Sequence, residues 1–292
     1  MKKGLLIITW IIIITFLLTF AYAHFLGTKG LVVKEIKVTD NKLPNNFHGF
    51  KIAHISDLHY GRIVNDVVLK TIVNKINTLK PDIVFLTGDL LDRHTQLSTE
   101  QRKSLINNLK NIKVTIAKYA ISGNHDHDYG LEDWLSIIKD SNFINLDDNY
   151  ELIYNNDTIP IAINGMSSNL HGDLTVQEKL EPFDKLLSDA KTNDIEKIKP
   201  VYNIMIMHEP DYVEQLEKNN FDLILAGHSH NGQVRIPFVG AIVKPIGAKK
   251  YYKEYYKVNN TDLYISSGLG TSTLDVRLFN KPSFNFYRLT NK

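Results

Sequence analysis

Phe221-Asp222-Leu223-Ile224-Leu225-Ala226-Gly227-His228-Ser229-His230-Asn231-Gly232 decides how the rest of the chain is read. The apolar run Phe221 to Ala226 has the length and composition of a short buried strand. It leads directly into two histidines separated by one residue and bracketed by glycines. In extended backbone, residues two apart point to the same side. Two imidazoles delivered side by side from a strand end suit a metal ion. The glycines let the turn close tightly and let backbone approach bound groups. Such a pair also arises by chance on a surface, so its meaning depends on matching ligands elsewhere.

Working outward, four more apolar strands end in groups of the same kind. Lys51 to Ser56 leads into Asp57-Leu58-His59, and Asp82 to Leu86 into Thr87-Gly88-Asp89-Leu90-Leu91-Asp92. Val114 to Ile121 leads into Ser122-Gly123-Asn124-His125-Asp126, and Val201 to Met207 into His208-Glu209-Pro210. Open α/β sheets bind ligands beyond the carboxyl ends of their strands, so these residues are expected to converge on one sheet edge. With no cysteine in the chain, a metal must be held by His, Asp, Asn or Glu. Carboxylate oxygen mixed with imidazole favours Mn²⁺, Fe²⁺ or Zn²⁺ over Ca²⁺. The seven candidates Asp57, His59, Asp89, Asn124, His208, His228 and His230 are too many for one tetrahedral ion. They suit two ions about 3.5–4 Å apart sharing a carboxylate, a pair that activates water and clamps both oxygens of a phosphoryl transfer. A lone Gly-Asp is ordinarily a turn, and a lone His208 a satisfied strand-end histidine. It is the recurrence after five apolar strands that points to a site.

The rest of the pattern is strand and helix in alternation. Strands are expected at Leu31–Val38, Phe143–Leu146, Leu263–Ser266 and Phe284–Leu289, with a hairpin of Glu151–Tyr154 and Ile159–Asn164. Helical spacing occupies Val64–Leu79, Thr99–Leu109, Leu131–Lys139, Val176–Ala190 and Tyr212–Lys218, and a charged linker reaches Pro200. Alternation followed by strands predicts a layered α/β domain.

At this point the sequence resembles the calcineurin-like metallophosphoesterase superfamily. Its D-x-H, G-D-x-x-D, G-N-H-[DE], later H and G-H-x-H blocks are all present, across roughly residues 50–270. The resemblance implies a two-sheet sandwich flanked by helices, in four layers. It implies that Asp57, His59 and His230 hold one ion, that Asn124, His208 and His228 hold the other, and that Asp89 bridges them. His125 would face the substrate phosphate, and Asp126 would orient His125. Asp57-Leu58-His59-Tyr60-Gly61, Gly232-Gln233 and Gly268-Leu269-Gly270-Thr271-Ser272 with Arg277 resemble the membrane-associated YkuE/YaeI-type subgroup, although Asn231 stands where that pattern has glycine. Other members of the subgroup act on phosphoester or pyrophosphate bonds of lipid-linked molecules.

The N-terminus fits that subgroup. Met1-Lys2-Lys3 precedes an uncharged run from Gly4 to Ala23, about the 20 residues that a spanning helix needs. Ala21-Tyr22-Ala23 fits a signal-peptide cleavage pattern, but the run exceeds the usual h-region of about 7–15 residues, so an uncleaved anchor is expected. Lys2 and Lys3 favour a cytoplasmic N-terminus and an extracytoplasmic domain, while Lys29, Lys34 and Lys37 pull the other way. Residues 1–30 are therefore read as anchor and tether, and 31–292 as the catalytic domain.

The totals agree: 292 residues with a formal net charge of +2 suit one large domain and speak against a dedicated nucleic-acid binder. His54 reads as a core histidine, while for His127 with Asp128, which extend the Gly-Asn-His-Asp block, a rim role is the lesser reading. Arg277 reads equally as a phosphate clamp or a structural ion pair. The Lys- and Tyr-rich run Pro237–Lys257 reads as a solvated hairpin, with a membrane-facing role as the alternative. The expected function is a dinuclear metal-dependent phosphoesterase acting on a phosphodiester or pyrophosphate, lipid-linked in the finer reading. A non-catalytic scaffold of the same fold would lose ligands or His125, and this chain keeps them.

Overall fold

Short apolar runs whose alternate side chains are all apolar can be buried on both faces, and this chain stacks such strands. The computed structural model describes residues 2–192, 200–219 and 221–292; part of the charged stretch before Pro200 lies outside them. In chain order the elements are α1 (Lys2–Phe25), β1 (Val32–Thr39), β2 (Lys51–Ile55), α2 (Asp66–Leu79), β3 (Ile83–Thr87), α3 (Thr99–Lys110), β4 (Ala117–Ile121), α4 (Asn124–Tyr129), α5 (Leu131–Asp140), β5 (Ile144–Asn145), β6 (Asn149–Ile153), β7 (Ile161–Met166), α6 (Val176–Thr192), β8 (Asn203–Met207), β9 (Leu223–Ala226), β10 (Arg235–Ile236), β11 (Gly240–Ala241), β12 (Tyr255–Val258), β13 (Thr261–Ile265) and β14 (Ser283–Thr290).

Two six-stranded sheets form, in the orders β1-β14-β2-β3-β4-β5 and β12-β13-β9-β8-β7-β6. Strands β2, β3 and β4 run parallel as neighbours, as do β7, β8 and β9. The period of two is visible in the burial. On β3, Ile83 and Phe85 face the other sheet, where Ile204, Ile206, Leu223 and Leu225 meet them. Val84 and Leu86 face outward onto α2, α3 and α5 through Leu69, Ile72, Leu105 and Trp134. On β8, Met205 and Met207 face outward to Leu180 and Phe183 of α6. Three apolar layers thus separate helices, sheet, sheet and helix, which is the expected four-layer sandwich.

Helix entry follows local chemistry. Asn65 caps α2 by accepting from the amides of Val67 and Val68, and Ser98 and Gln101 close a capping box on α3. The expected hairpin forms as β6 against β7. Tyr212–Lys218 lies in a run of 3₁₀ turns, Pro210–Asn219, rather than an α-helix. The Lys- and Tyr-rich run contains strand β12, paired with β13, which its composition did not announce.

Candidate metal centre

Five parallel strands end at one edge, and their ends are stitched together across the two sheets. The Asp57 carboxylate accepts from the amide of His228 (3.0 Å), and His208 Nδ1 donates to the carbonyl of Thr87 (2.7 Å). At this edge the strands do not simply continue. Asp57 (φ 52°), His59 (42°), Asp89 (52°), His228 (64°) and His230 (48°) all adopt left-handed backbone. Non-glycine residues held in such sparsely populated regions cost of order 1–3 kcal/mol each and cluster at functional sites. This corrects the expectation that extended backbone presents His228 and His230 side by side. The left-handed turn sends them to different places.

His230 joins Asp57 and His59, and His228 joins Asp89 and His208, each trio placing its ligand atoms within 4.8 Å of one another. In the first trio, His59 Nε2 lies 3.1 Å from His230 Nε2, which lies 3.5 Å from Asp57 Oδ1. Asp89 Oδ2 stands between the trios, 3.6 Å from His59 Nε2 and 3.3 Å from His208 Nε2. Lone pairs pointed at one another at such distances call for a cation. Two buried atoms in the same place, Asn124 Oδ1 and His208 Nε2, have no hydrogen-bond partner, an arrangement that costs about 1–3 kcal/mol per group unless a ligand answers it. The donor set therefore fits two divalent ions.

The neighbourhood sets which nitrogens can ligate. A carbonyl only accepts, so His208 carries its proton on Nδ1 and turns Nε2 inward. His228 donates from Nε2 to the carbonyl of Ile246 (2.7 Å) and leaves Nδ1 for the site. Burial pushes the Asp57 carboxyl up to about 7 against the pull of His208, and burial pushes His59 down to about 3. Burial also works against charge on Asp89, but His208, His125 and His59 outweigh it and hold the carboxyl well below its ordinary range. Burial likewise opposes charge on His208, and Asp89 outweighs it, raising that imidazole well above its usual value. Gly123 is required by close approach: a Cβ would sit 2.3 Å from Asp89 Oδ1 and 2.5 Å from its amide nitrogen.

His125 lies over this floor, edge-on to His59. The expected orienting role of Asp126 is corrected. Its two carboxylate oxygens accept from the amides of Leu91 (3.1 Å) and Gly123 (2.9 Å), locking two ligand loops together. The carboxylate beside the ring is Asp92, 3.5 Å from His125 Nδ1. Arg93 places Nη2 3.0 Å from His125 Nε2 and Nη1 3.4 Å from Asp128. Neither Asp92 nor Arg93 received a role from the sequence, although Asp92 closes the Gly-Asp-x-x-Asp block and Arg93 follows it. Burial holds His125 below its usual value, with Asp89 opposing and Arg93 reinforcing.

The remaining residues sort plainly. His54 is a core histidine, bonded to the Thr87 hydroxyl at 2.8 Å. His127 stacks on His171 at the rim. Arg277 is neither clamp nor ion pair: fully buried, it gives its donors to the carbonyls of Ser267, Gly268, Gly270 and Asn280 behind His230. Asn231 accepts its left-handed turn (φ 49°), a conformation that asparagine tolerates, and its amide bonds Glu254 at 2.8 Å. Above the floor opens a cleft of about 390 Å³ whose floor includes Asp89, Asn124, His125, His228 and His230, and whose wall is apolar: Val234, Val243, Pro245, Ile246, Leu274 and Val276.

Comparison with known proteins agrees with this chemistry. The chain is 28% identical over 271 residues to the uncharacterized metallophosphoesterase YkuE of Bacillus subtilis, covering 92% of this chain and 89% of that protein. It is 26% identical to the phosphodiesterase YaeI of Escherichia coli, covering 86% and 84%. It is 24% identical to a zebrafish (Danio rerio) transmembrane protein with a metallophosphoesterase domain, covering 84% of this chain and 54% of that one. A family model for calcineurin-like phosphoesterases matches residues 50–232, so that the strand-end ligands from Asp57 to His230 all fall within it, and the chain belongs to that family.

Proposed function

We propose that this chain is a membrane-anchored phosphoesterase that hydrolyses a phosphodiester or pyrophosphate bond in a lipid-linked substrate. The observation that carries the metal-dependent part is the position of Asp89 Oδ2, 3.3 Å from His208 Nε2 within its own trio and 3.6 Å from His59 Nε2 of the other. In this reading Asp57, His59 and His230 hold one divalent ion, Asn124, His208 and His228 the other, and Asp89 bridges them. Such a pair, when bound, supplies Lewis-acid charge and lowers the pKa of the attacking water. Mn²⁺, Zn²⁺ and Fe²⁺ suit these ligands.

The chain's own groups do the rest. The Arg93 guanidinium matches phosphate oxygens in shape and charge, and it stands against His125 Nε2. A phosphate anion seated beside them raises the His125 pKa. That prepares His125 to give its proton to the leaving oxygen. Asp92, 3.5 Å from Nδ1, steadies the imidazolium. Residues 1–30 are the anchor and its connection, and residues 31–292 the catalytic domain.

The lipid-linked part rests on two features. α1 has 24 residues, and its most apolar 18-residue window, of mean hydropathy 2.6, has no residue buried in the protein. The apolar wall of the cleft then faces the polar floor, as an amphipathic substrate requires. Lys2 and Lys3 favour an extracytoplasmic domain. The test is turnover by full-length protein of phosphomonoester, phosphodiester and lipid-pyrophosphate substrates with each metal, alongside metal content. Turnover of the lipid substrate above its water-soluble analogue, with two ions per chain, is expected. No hydrolysis with any metal, or a single ion at full activity, would overturn the dinuclear reading. Equal rates on lipid and soluble esters would remove the lipid assignment.

A further inference from the structure

The wall of the cleft continues outward into apolar side chains that nothing covers. Phe238, at the tip of the β10–β11 hairpin, is fully exposed, and Val239, Val243 and Ile246 are each at least 70% exposed. Ile242 and Leu274 extend the same strip. Apolar residues exposed singly are ordinary, but a contiguous patch marks an interaction surface. Three lysines of the same Pro237–Lys257 run are otherwise engaged: Lys249 donates to the carbonyl of Lys244, Lys250 pairs with Glu214, and Lys257 pairs with Asp262. Within that run the interaction surface is therefore its apolar strip rather than these lysines.

Backbone hydrogen bonds tie this strip to α1. The amide of Arg235 donates to Leu278 (3.0 Å), that of Leu278 to Gln233 (3.2 Å), and that of Arg277 to Ala23 near the end of α1 (2.9 Å). His24 Nδ1 bonds the carbonyl of Asp275 at 2.7 Å. Gly27 packs so closely on the Arg277 carbonyl that a Cβ would sit 1.8 Å from it. Strips at strand spacing lie about 4.8 Å apart, so the hairpin base stands within about 10 Å of the helix end. Lys281 bonds the carbonyls of Leu26 and Lys29 there, which places positive charge at the same level. Basic side chains at that level suit anionic headgroups.

We propose that the hairpin Arg235–Ala241 and the segment to Ile246 dip their apolar strip into the bilayer interface. This second, non-helical contact would hold the mouth of the cleft against the lipid surface, and it rests on α1 being a membrane anchor. The occupant is lipid: hydrogen bonds tie the base of the strip to the end of the anchor helix, and Lys281 stands at that same level.

The chain has no cysteine, so single probes report cleanly. Full-length Phe238→Cys and Val239→Cys, labelled with a polarity-sensitive fluorophore, are reconstituted into vesicles of phosphatidylcholine with a minority of phosphatidylglycerol. Asn156→Cys, on the β6–β7 turn, is the control, and flotation of the same vesicles reports the anchor. Blue-shifted emission at 238 and 239, with several-fold stronger quenching by a chain-attached nitroxide than at the control, is expected. Floating protein with water-like emission at the tip overturns the hairpin proposal alone. Protein that does not float overturns the anchor and the hairpin with it. A blue shift that follows protein rather than lipid concentration assigns the strip to a second copy and overturns the lipid proposal. A Phe238→Asp/Val239→Asp double variant should float and hydrolyse a soluble ester normally while losing several-fold on the vesicle-borne ester. Unchanged vesicle-borne turnover overturns a positioning role for the hairpin.

Discussion

The floor and the wall of one cleft are built on opposite principles. The floor is buried, polar and strained: Asp57, His59 and His208 have no exposure, and five of its residues sit in left-handed backbone. The wall is largely apolar and exposed, made of the strip around Val243 and Ile246. Buried polar groups tolerate little displacement, because each unanswered lone pair is costly. An apolar surface works by area and is not directional. The difference teaches that chemistry and address are separable here, and substitutions should separate them.

The largest effect is expected at Asp89, which belongs to one trio and reaches the other. Asp89→Ala should reduce turnover to background, beyond the roughly 10²–10⁴-fold that loss of a general acid costs. It should also abolish the rise in thermal midpoint that added Mn²⁺ gives to the unaltered chain through binding linkage. Retained turnover with two bound ions would show that the floor does not depend on its central carboxylate.

His125→Ala should lower kcat by about 10²–10⁴-fold with metal content unchanged, because the ring stands over the floor and belongs to neither trio around Asp89. Loss of metal with normal turnover on resupply would move His125 into the ligand set.

Gly227→Ala probes the floor through packing alone. A Cβ there would lie 2.0 Å from Ser56 Oγ and 2.9 Å from Asp57 Oδ2. Metal affinity should fall by roughly 10–100-fold, the range seen when a ligand's support is disturbed. Unchanged affinity by calorimetric titration would mean that the turn relaxes freely.

The smallest effect belongs to the wall. Val243→Asp removes a contact whose full burial contributes about 1.5 kcal/mol or more, so KM for a lipid-linked ester should rise about tenfold. The thermal shift with Mn²⁺ and kcat on a soluble ester should stay as they were. A matching loss on the soluble ester would join the two regions into one functional unit.

Legibility divides along the same line. Strands β3, β8 and β9 were readable because runs such as Ile204-Met205-Ile206-Met207 are apolar on both faces, and the ligands follow them at once in the chain. The helix α1 was readable from composition. Strand β12 was readable only as part of a solvated hairpin, because Tyr255-Tyr256-Lys257-Val258 holds no apolar run and gains its place in the large sheet from pairing with β13. Asp126 was assigned to His125 by adjacency, whereas the local backbone turns it toward the amides of Leu91 and Gly123. Arg277 reads in the sequence as a clamp or an ion pair, because its actual partners are carbonyls, which every residue carries and no motif marks.

By itself the sequence determined which donor atoms stand at the ends of five strands, that cysteine takes no part, and that one helix is apolar enough to cross a membrane. Those features are local: residue type, period and order along a few positions specify them. Only the tertiary structure decided how the donors divide. His228 and His230 are two residues apart yet serve different trios, because two left-handed φ angles redirect them. His59 meets His230 across 171 residues, and His208 meets Thr87 across 121, through the registry of two packed sheets. The apolar wall reaches the end of α1 by hydrogen bonds between segments more than 200 residues apart in the chain. No short-range pattern encodes such meetings, because they depend on sheet order and layer packing that the whole chain settles at once.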